Sequence, residues 1–144
     1  MLKLARARLP ERGSVIQRIE FVHADALNWR PAAEPYDWIV THFFLDCLRE
    51  EQLRQLIEKL AQAAEPRSNR LLADCCLPPS GLGRVRARII HRLMYAFFGI
   101  VTKLPASHLT APDRFLEDQG FLLRERRFAE WGLLHSDCWE RAVE

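Results

Sequence analysis

Several signals that would assign a chain of 144 residues to a membrane or to nucleic acid are missing from this sequence. No apolar run approaches the roughly 20 residues that cross a bilayer, and Lys3, Arg6 and Arg8 stand where a signal peptide carries its apolar region. The formal charge is only +2, and basic residues are scattered among acidic ones. We therefore expect a cytoplasmic protein with no integral membrane segment and no nucleic-acid partner.

The cysteines lack the spacing of a metal site. Cys47, Cys75, Cys76 and Cys138 form no C-x-x-C pair and have no histidine at metal-site spacing. Neighbours such as Cys75 and Cys76 point to opposite faces of a strand. We expect reduced thiols in or near the core, and no metal ion.

The composition is that of one globular domain over residues 1–144. The chain is 49% hydrophobic and 28% charged, with no internal repeat and no linker. Its beginning, "MLKLARARLP", has Leu2, Ala5 and Leu9 at helical spacing but no capping residue before them. This pattern is typical of a helix already under way, so we expect a truncated domain.

Hydrophobic periodicity predicts strands that alternate with helices. A strand is expected around Ile19 to His23, and another in "YDWIVTHFF", whose apolar run is typical of strands buried on both faces. Pro66 is expected to end the following helix, and Thr110 to cap a short helix that Gly120 terminates. The other expected elements are a strand in "NRLLADCCL", a long helix in "RVRARIIHRLMYAFFGIVTKL" and a terminal antiparallel hairpin through Gly132. The order predicts a parallel, helix-covered sheet that binds ligands at the carboxyl ends of its strands.

Polar residues follow each predicted strand at that ligand-binding edge. Asp25 either meets a flat ligand, helped by the small Ala26 after it, or caps the following turn. His42 is either a base near pH 7 or only a hydrogen-bonding residue. Asp74 either faces the cleft or bonds the neighbouring loop.

The ordered series "IEFVHADALNW", "PYDWIVTHFFLDCL", "LREEQLRQLIEKLAQAAEP", "NRLLADCC", "HRLMYAFFGIVTKL" and "GLLHSDCW" resembles class I S-adenosylmethionine-dependent methyltransferases. It is most similar to small bacterial members with an "FFLDC"-like stretch after the fourth strand. The resemblance covers essentially the whole chain. It implies an α/β, Rossmann-like sheet with helices on both faces and parallel strands plus a C-terminal antiparallel strand.

The resemblance also implies a cofactor site for S-adenosylmethionine. The acidic residue after the third strand of the family receives the adenine amino group, and the next backbone N–H meets a ring nitrogen; Asp25 and Ala26 match these positions. Residues at the end of the fourth strand line the ribose and methionine part, which here means Thr41, His42 and Phe43. A carboxylate that only accepts hydrogen bonds suits an amino donor.

The inserted helix usually roofs the acceptor pocket in this family, so Arg92, Tyr95 and Phe98 are candidates to meet a small-molecule substrate, with ordinary core packing as the alternative. The Arg-edged helix of residues 84 to 104 would suit a lipid-like or quinone-like acceptor near a membrane surface, or be a solvated face. Methyl transfer needs mainly alignment of the acceptor with an activated methyl group. His42 is the candidate base if the acceptor begins protonated.

The family's first two strands have no counterpart in the sequence. Its glycine-rich loop, D/E-x-G-x-G-x-G, and its ribose-binding acid are expected upstream of Met1. Without those strands "YDWIVTH" becomes an exposed edge, favouring homodimers, and the isolated chain should bind cofactor poorly. We therefore expect either the carboxyl-terminal portion of an active methyltransferase or a non-catalytic fragment that associates with another chain. A nicotinamide-dependent Rossmann enzyme explains the strand exits less well.

Overall fold

The structure is a computed structural model that describes residues 19–31, 33–102, 106 and 108–142. The chain forms two compact units, Met1–Arg30 and Pro31–Glu144. The helix expected from Leu2 to Leu9 lies outside the described residues.

The strand expected around Ile19 to His23 does not form, so this prediction is wrong. The segment is non-regular up to a turn at Ala26–Asn28, and Ile19 and Val22 are exposed. A strand requires a neighbour to pair its backbone N–H and C=O groups. Apolar residues alone do not supply that neighbour.

The second unit contains a four-stranded mixed sheet with three helices, as expected. The sheet order is β1-β2-β4-β3, with β1 and β2 parallel and the other two pairs antiparallel. Short 3-10 turns occupy Leu45–Cys47 and Glu130–Gly132. The regular elements are β1 (Tyr36–His42), α1 (Glu50–Gln62), β2 (Ala64–Cys75), α2 (Gly81–Val101), α3 (Asp113–Glu117), β3 (Phe121–Ala129) and β4 (Leu134–Arg141).

Two helix boundaries differ from expectation. Helix α1 ends at Gln62, and β2 has already begun when the chain reaches Pro66, so proline does not end the helix. Helix α3 begins at Asp113 with Pro112 at its N-cap. Thr110 therefore lies two residues before the N-cap, too early for its hydroxyl to take that position.

The sheet has one buried face and one open face. Its buried side chains alternate along β1, β2 and β4, including Ile39, Leu72 and Trp139. Trp38 and Val40 point to the other face and are more than half exposed. The expectation that this strand is buried on both faces is wrong, since no described element covers that face. The expectation that it forms an edge is confirmed, since β1 pairs only with β2 among the described strands.

Helix α2 turns its broad apolar stripe outward. Its buried side chains are Ala87, His91 and Tyr95, while Ile89 and Leu93, on the opposite side, are more than half exposed. Within the described part of the chain, no helix is long and apolar enough to cross a membrane.

Candidate functional site

The chain segments that leave β1 and β2 are joined at the carboxyl edge of the sheet. The Phe43 N–H donates to the Ala73 carbonyl at 2.8 Å. The Phe44 N–H donates to Asp74 Oδ1 at 3.0 Å. Asp74 therefore bonds the neighbouring loop, which decides between the two roles that the sequence left open for it.

Phe43 adopts a left-handed backbone conformation at this junction. Its φ is +48°, a region that costs a residue with a side chain about 1–3 kcal/mol. The two hydrogen bonds that flank it hold this conformation, and the ring stays more than half exposed. Strained residues of this kind persist only where the surrounding structure holds them in place, and they cluster at ligand-binding sites.

The other two residues expected to line the cofactor differ in access. His42 ends β1 with an exposed side chain. Thr41 belongs to the buried face, and its Oγ1 has no hydrogen-bond partner within the described ranges. Accordingly, His42 and Phe43 present side chains at the edge, whereas Thr41 does not.

Two buried carboxylates lie beneath this edge. Asp74 is almost completely buried and Asp46 nearly so. Burial, reinforced by the charge of Asp46, raises the pKa of Asp74 to about 7. Oδ2 of Asp74 has no hydrogen-bond partner among the described residues. Asp74 thus holds a proton that is exchangeable near neutral pH.

Helix α2 closes over the same carboxylates. The Tyr95 hydroxyl donates to the Asp46 backbone carbonyl at 2.8 Å, and burial raises the pKa of Tyr95. One turn earlier, His91 is buried, and neither ring nitrogen bonds to any group in the part of the chain that the structure describes. Burial lowers the pKa of His91. An unpaired buried imidazole beside a buried acid is a candidate ligand contact.

His91 was not singled out from the sequence. It lies four residues after Ala87 and four before Tyr95, so a helical stripe of these three was visible. The more apolar stripe on the opposite side of the helix masked it.

The three residues expected to meet the acceptor differ in exposure. Tyr95 is buried, and its hydroxyl donates a hydrogen bond to the Asp46 carbonyl. Arg92 is exposed, and Phe98 is more than one-third exposed. Tyr95 contacts the loop that follows β1 through its hydroxyl.

A second polar cluster borders a cavity of about 360 Å³ beside the end of β2. Arg126 donates to both carboxylate oxygens of Asp137, at 2.8 and 2.6 Å, and to Asp113 at 2.6 Å. His135 Nδ1 lies 3.0 Å from Asp137 Oδ1. Burial would raise the pKa of Asp137, but the hydrogen bonds from Arg126 outweigh it and hold that pKa at about 2. Other cavity-lining residues are Cys75, Cys76, Leu77, Leu109 and Phe128.

This cavity was also missed by sequence reasoning. Arg126 and Asp137 lie on different strands of the terminal hairpin, and Asp113 lies on α3. A single sequence shows the charges but not their pairing. The strand register, Arg126 opposite Asp137, was the signal that only the fold supplied.

In the first unit, Asp25 caps its own turn. Its Oδ1 accepts from the Leu27 N–H at 3.0 Å, and Oδ2 accepts from the Asn28 side-chain amide at 2.6 Å. The capping alternative is therefore confirmed. Each oxygen keeps a lone pair, the side chain is exposed, and the Ala26 N–H makes no hydrogen bond with any described group. The residues present thus fit a ligand that has an amino donor beside a ring acceptor.

The four cysteines are free and half-buried. Burial raises the pKa of Cys47 to about 11 and that of Cys75 to about 12, with Asp46 adding to both. Such thiols are poor nucleophiles. No group of three or more His, Cys, Asp or Glu side chains suited to a metal ion occurs among the residues described.

No family model matches this sequence, and neither does any curated protein sequence. Solved structures do match. The mitomycin 7-O-methyltransferase MmcR aligns over 98% of this chain and 38% of its own, with a TM-score of 0.66 and 14% identity. LepI in complex with SAM aligns over 97% of this chain and 33% of its own, with a TM-score of 0.64 and 16% identity, and a structure described as a pericyclic reaction enzyme matches with the same values.

The chain thus spans about a third of the length of the solved structures it matches. At these identities the likeness shows the fold. That fold is the one of class I methyltransferases, as the resemblance in the sequence implied.

Proposed function

We propose that this chain forms the carboxyl-terminal portion of an S-adenosylmethionine-dependent methyltransferase that acts on a small molecule in the cytoplasm. The observation that carries the proposal is the exit of β1. There, left-handed Phe43 is fixed by hydrogen bonds to β2, in a fold shared with LepI in complex with SAM.

Five residues are proposed to hold the cofactor. The Asp25 carboxylate would accept the adenine amino group, and the Ala26 N–H would donate to a ring nitrogen. His42 and Phe43 would line the ribose and methionine part with their side chains. Thr41 would contribute through its backbone, since its hydroxyl lies on the buried face.

When bound, the cofactor supplies an activated methyl group on a sulfonium. The residues of this chain would hold the acceptor in line with that group and exclude water. If the acceptor begins protonated, exposed His42 is the candidate base. Asp74, with a pKa near 7, would serve to hold a proton beneath the edge.

The acceptor is proposed to occupy the cavity bordered by Arg126 and His135. That cavity adjoins the end of β2, and β2 is the direct neighbour of β1. Neighbouring strands are about 5 Å apart, so the cavity lies near the exit of β1 that is proposed to line the cofactor. Apolar walls with a few charged groups favour a small, partly apolar acceptor.

The experiment is a binding titration of S-adenosylmethionine, followed by transfer of its labelled methyl group to pooled metabolites. It uses both the 144-residue chain and the longest in-frame product of its gene. If an in-frame D/E-x-G-x-G-x-G segment precedes Met1, we expect micromolar binding and a labelled product. Loss of one charged hydrogen bond in Asp25→Ala should weaken that binding about tenfold or more, whereas Asp37→Ala, exposed on β1, should not.

We expect the 144-residue chain alone to bind more weakly than micromolar. Micromolar binding by that chain would contradict this, and no binding by a product that contains the glycine-rich segment would overturn the proposal. Binding without a methylated product would favour another reaction on this fold, as the pericyclic enzyme illustrates.

A second candidate is a non-catalytic fragment that forms homodimers or associates with another chain through β1. The open edge and the half-exposed Trp38 and Val40 favour it. A stop codon directly upstream of Met1 and a dimer in light scattering would support it. In that case Val40→Lys should yield monomers, while Leu122→Lys, on β3, should not.

A further inference from the structure

Helix α2 exposes an apolar surface that the fold itself does not use. We define the outward stripe as Leu82, Val85, Ile89, Leu93, Phe97 and Ile100. All six are more than half exposed, reaching 88% for Leu82 and 83% for Ile100. The stripe runs along a helix of 21 residues, about 30 Å at 1.5 Å per residue. Apolar exposure of this extent marks an interaction surface.

The charge of the helix identifies the partner. Residues 81–101 contain four arginines and neither aspartate, glutamate nor lysine. Because the whole chain carries +2 and this helix +4, the remainder of the chain carries −2. Positive charge is thus concentrated on the one helix whose apolar side faces outward.

Two of these arginines are available to an anionic partner. Arg88 and Arg92 are exposed along one edge of the outward stripe and form no ion pair with any described residue. The other two are used within the fold. Arg84 donates to the Pro79 carbonyl, and Arg86 donates to the Glu130 carbonyl.

An exposed tryptophan extends the same surface. Trp131, 85% exposed, lies in the turn between β3 and β4. The Arg86 guanidinium sits 5.6 Å from the centre of its ring, and the Trp131 carbonyl comes within 3.3 Å of the Cβ position of Gly83. Tryptophan rings favour the boundary between water and lipid. The tryptophan therefore points to a bilayer independently of the helix.

We propose that α2 and Trp131 bind the surface of a bilayer that contains anionic phospholipid, with the outward stripe lying in the interface. The helix carries the pattern of interfacial helices: a large apolar face, arginines and no acidic residue. A second copy of this chain fits poorly, because a symmetric contact would place the arginines of both helices together with no acid between them.

The test is co-sedimentation of the full 144-residue chain with vesicles of neutral phosphatidylcholine, alone or with 30% phosphatidylglycerol. At about 1 kcal/mol for each unpaired arginine near an anionic surface, Arg88 and Arg92 predict roughly thirtyfold tighter binding to the anionic vesicles. Arg88→Gln with Arg92→Gln should remove most of that preference. Leu93→Glu with Phe97→Glu should weaken binding at least tenfold, whereas Leu122→Glu, an exposed apolar position on β3, should not.

Fluorescence locates the surface. Vesicles should shift the tryptophan emission of the wild type to the blue, and Trp131→Phe should remove most of that shift. Equal binding to both vesicles, binding to neither, or unchanged binding in the double glutamate variant would overturn the proposal. So would a dimer that the double glutamate variant converts to monomers, since the stripe would then join two copies.

Discussion

The buried carboxylate of Asp74 should make the protein lose stability as the pH rises. Its pKa is raised from 3.8 to about 7 by burial and by Asp46. A raised pKa means that the folded state favours the neutral form. The stability contributed by that form is complete below about pH 4 and is lost as the pH rises through 7.

Asp74→Asn removes this ionisation. The asparagine oxygen still accepts the Phe44 N–H, so the junction of β1 and β2 is kept. At 1.4 kcal/mol per tenfold change in proton affinity, the pKa change corresponds to about 4 kcal/mol above pH 7. Since part of that depends on the charge of Asp46, we expect the variant to be roughly 2–4 kcal/mol more stable than the wild type at pH 8.

Urea unfolding at pH 4 and pH 8, followed by tryptophan fluorescence, measures the difference. At pH 4 the two proteins should agree to within about 0.5 kcal/mol. Burial lowers the pKa of His91, so His91 increases the stability of both proteins as the pH rises. The informative quantity is therefore the difference in unfolding free energy between variant and wild type at each pH. Asp118→Asn, exposed after α3, is the control. Equal differences at both pH values, or a less stable variant at pH 8, would refute the reasoning.

Three further substitutions test the packing, all by urea unfolding at pH 7. Arg70 is fully buried, and its guanidinium has no partner among the residues described, so Arg70→Met should stabilise the fold by about 1–4 kcal/mol. Asp137→Asn weakens the paired hydrogen bonds with Arg126 and should cost about 3 kcal/mol. Gly132→Ala should cost about 2–3 kcal/mol, because φ is +80° and a Cβ would lie 2.9 Å from Pro78.

Matched positions serve as controls. Glu140→Gln breaks only an exposed pair with Arg124 and should cost under about 1 kcal/mol. Gly81 has a similar positive φ of +78°, but no described atom lies within 4 Å of its Cβ position, so Gly81→Ala should cost about 1 kcal/mol. These predictions would be contradicted if Arg70→Met lowered the free energy of unfolding. They would also be contradicted if a control changed that free energy as much as its test variant does.

The sequence predicted the elements whose periodicity is set by burial within this chain. Helix α1 buries Leu53, Leu56 and Ile57 as its spacing requires. The antiparallel terminal hairpin also matches the expectation. In these elements local pattern and tertiary packing agree.

The sequence predictions fail where pairing or packing with another element decides the structure. The residues around Ile19 form no strand because a strand needs a partner, and β1 keeps an open face because nothing described covers Trp38. The apolar periodicity of α2 predicted the helix correctly but not which way its apolar stripe faces. The periodicity is the same whether the stripe packs on a core or on a partner. For the same reason His91 and the cavity cluster around Arg126 emerged only from the fold.

The most direct test of the proposed cofactor site is a nuclear magnetic resonance titration of the ¹⁵N-labelled chain with S-adenosylhomocysteine at millimolar concentration. Weak binding suffices, because each backbone amide reports separately. We predict saturable shifts centred on the amides of Ala26, His42 and Phe43, with β3 unaffected. Shifts centred elsewhere, or none at the highest concentration, would contradict the cofactor site proposed for these residues.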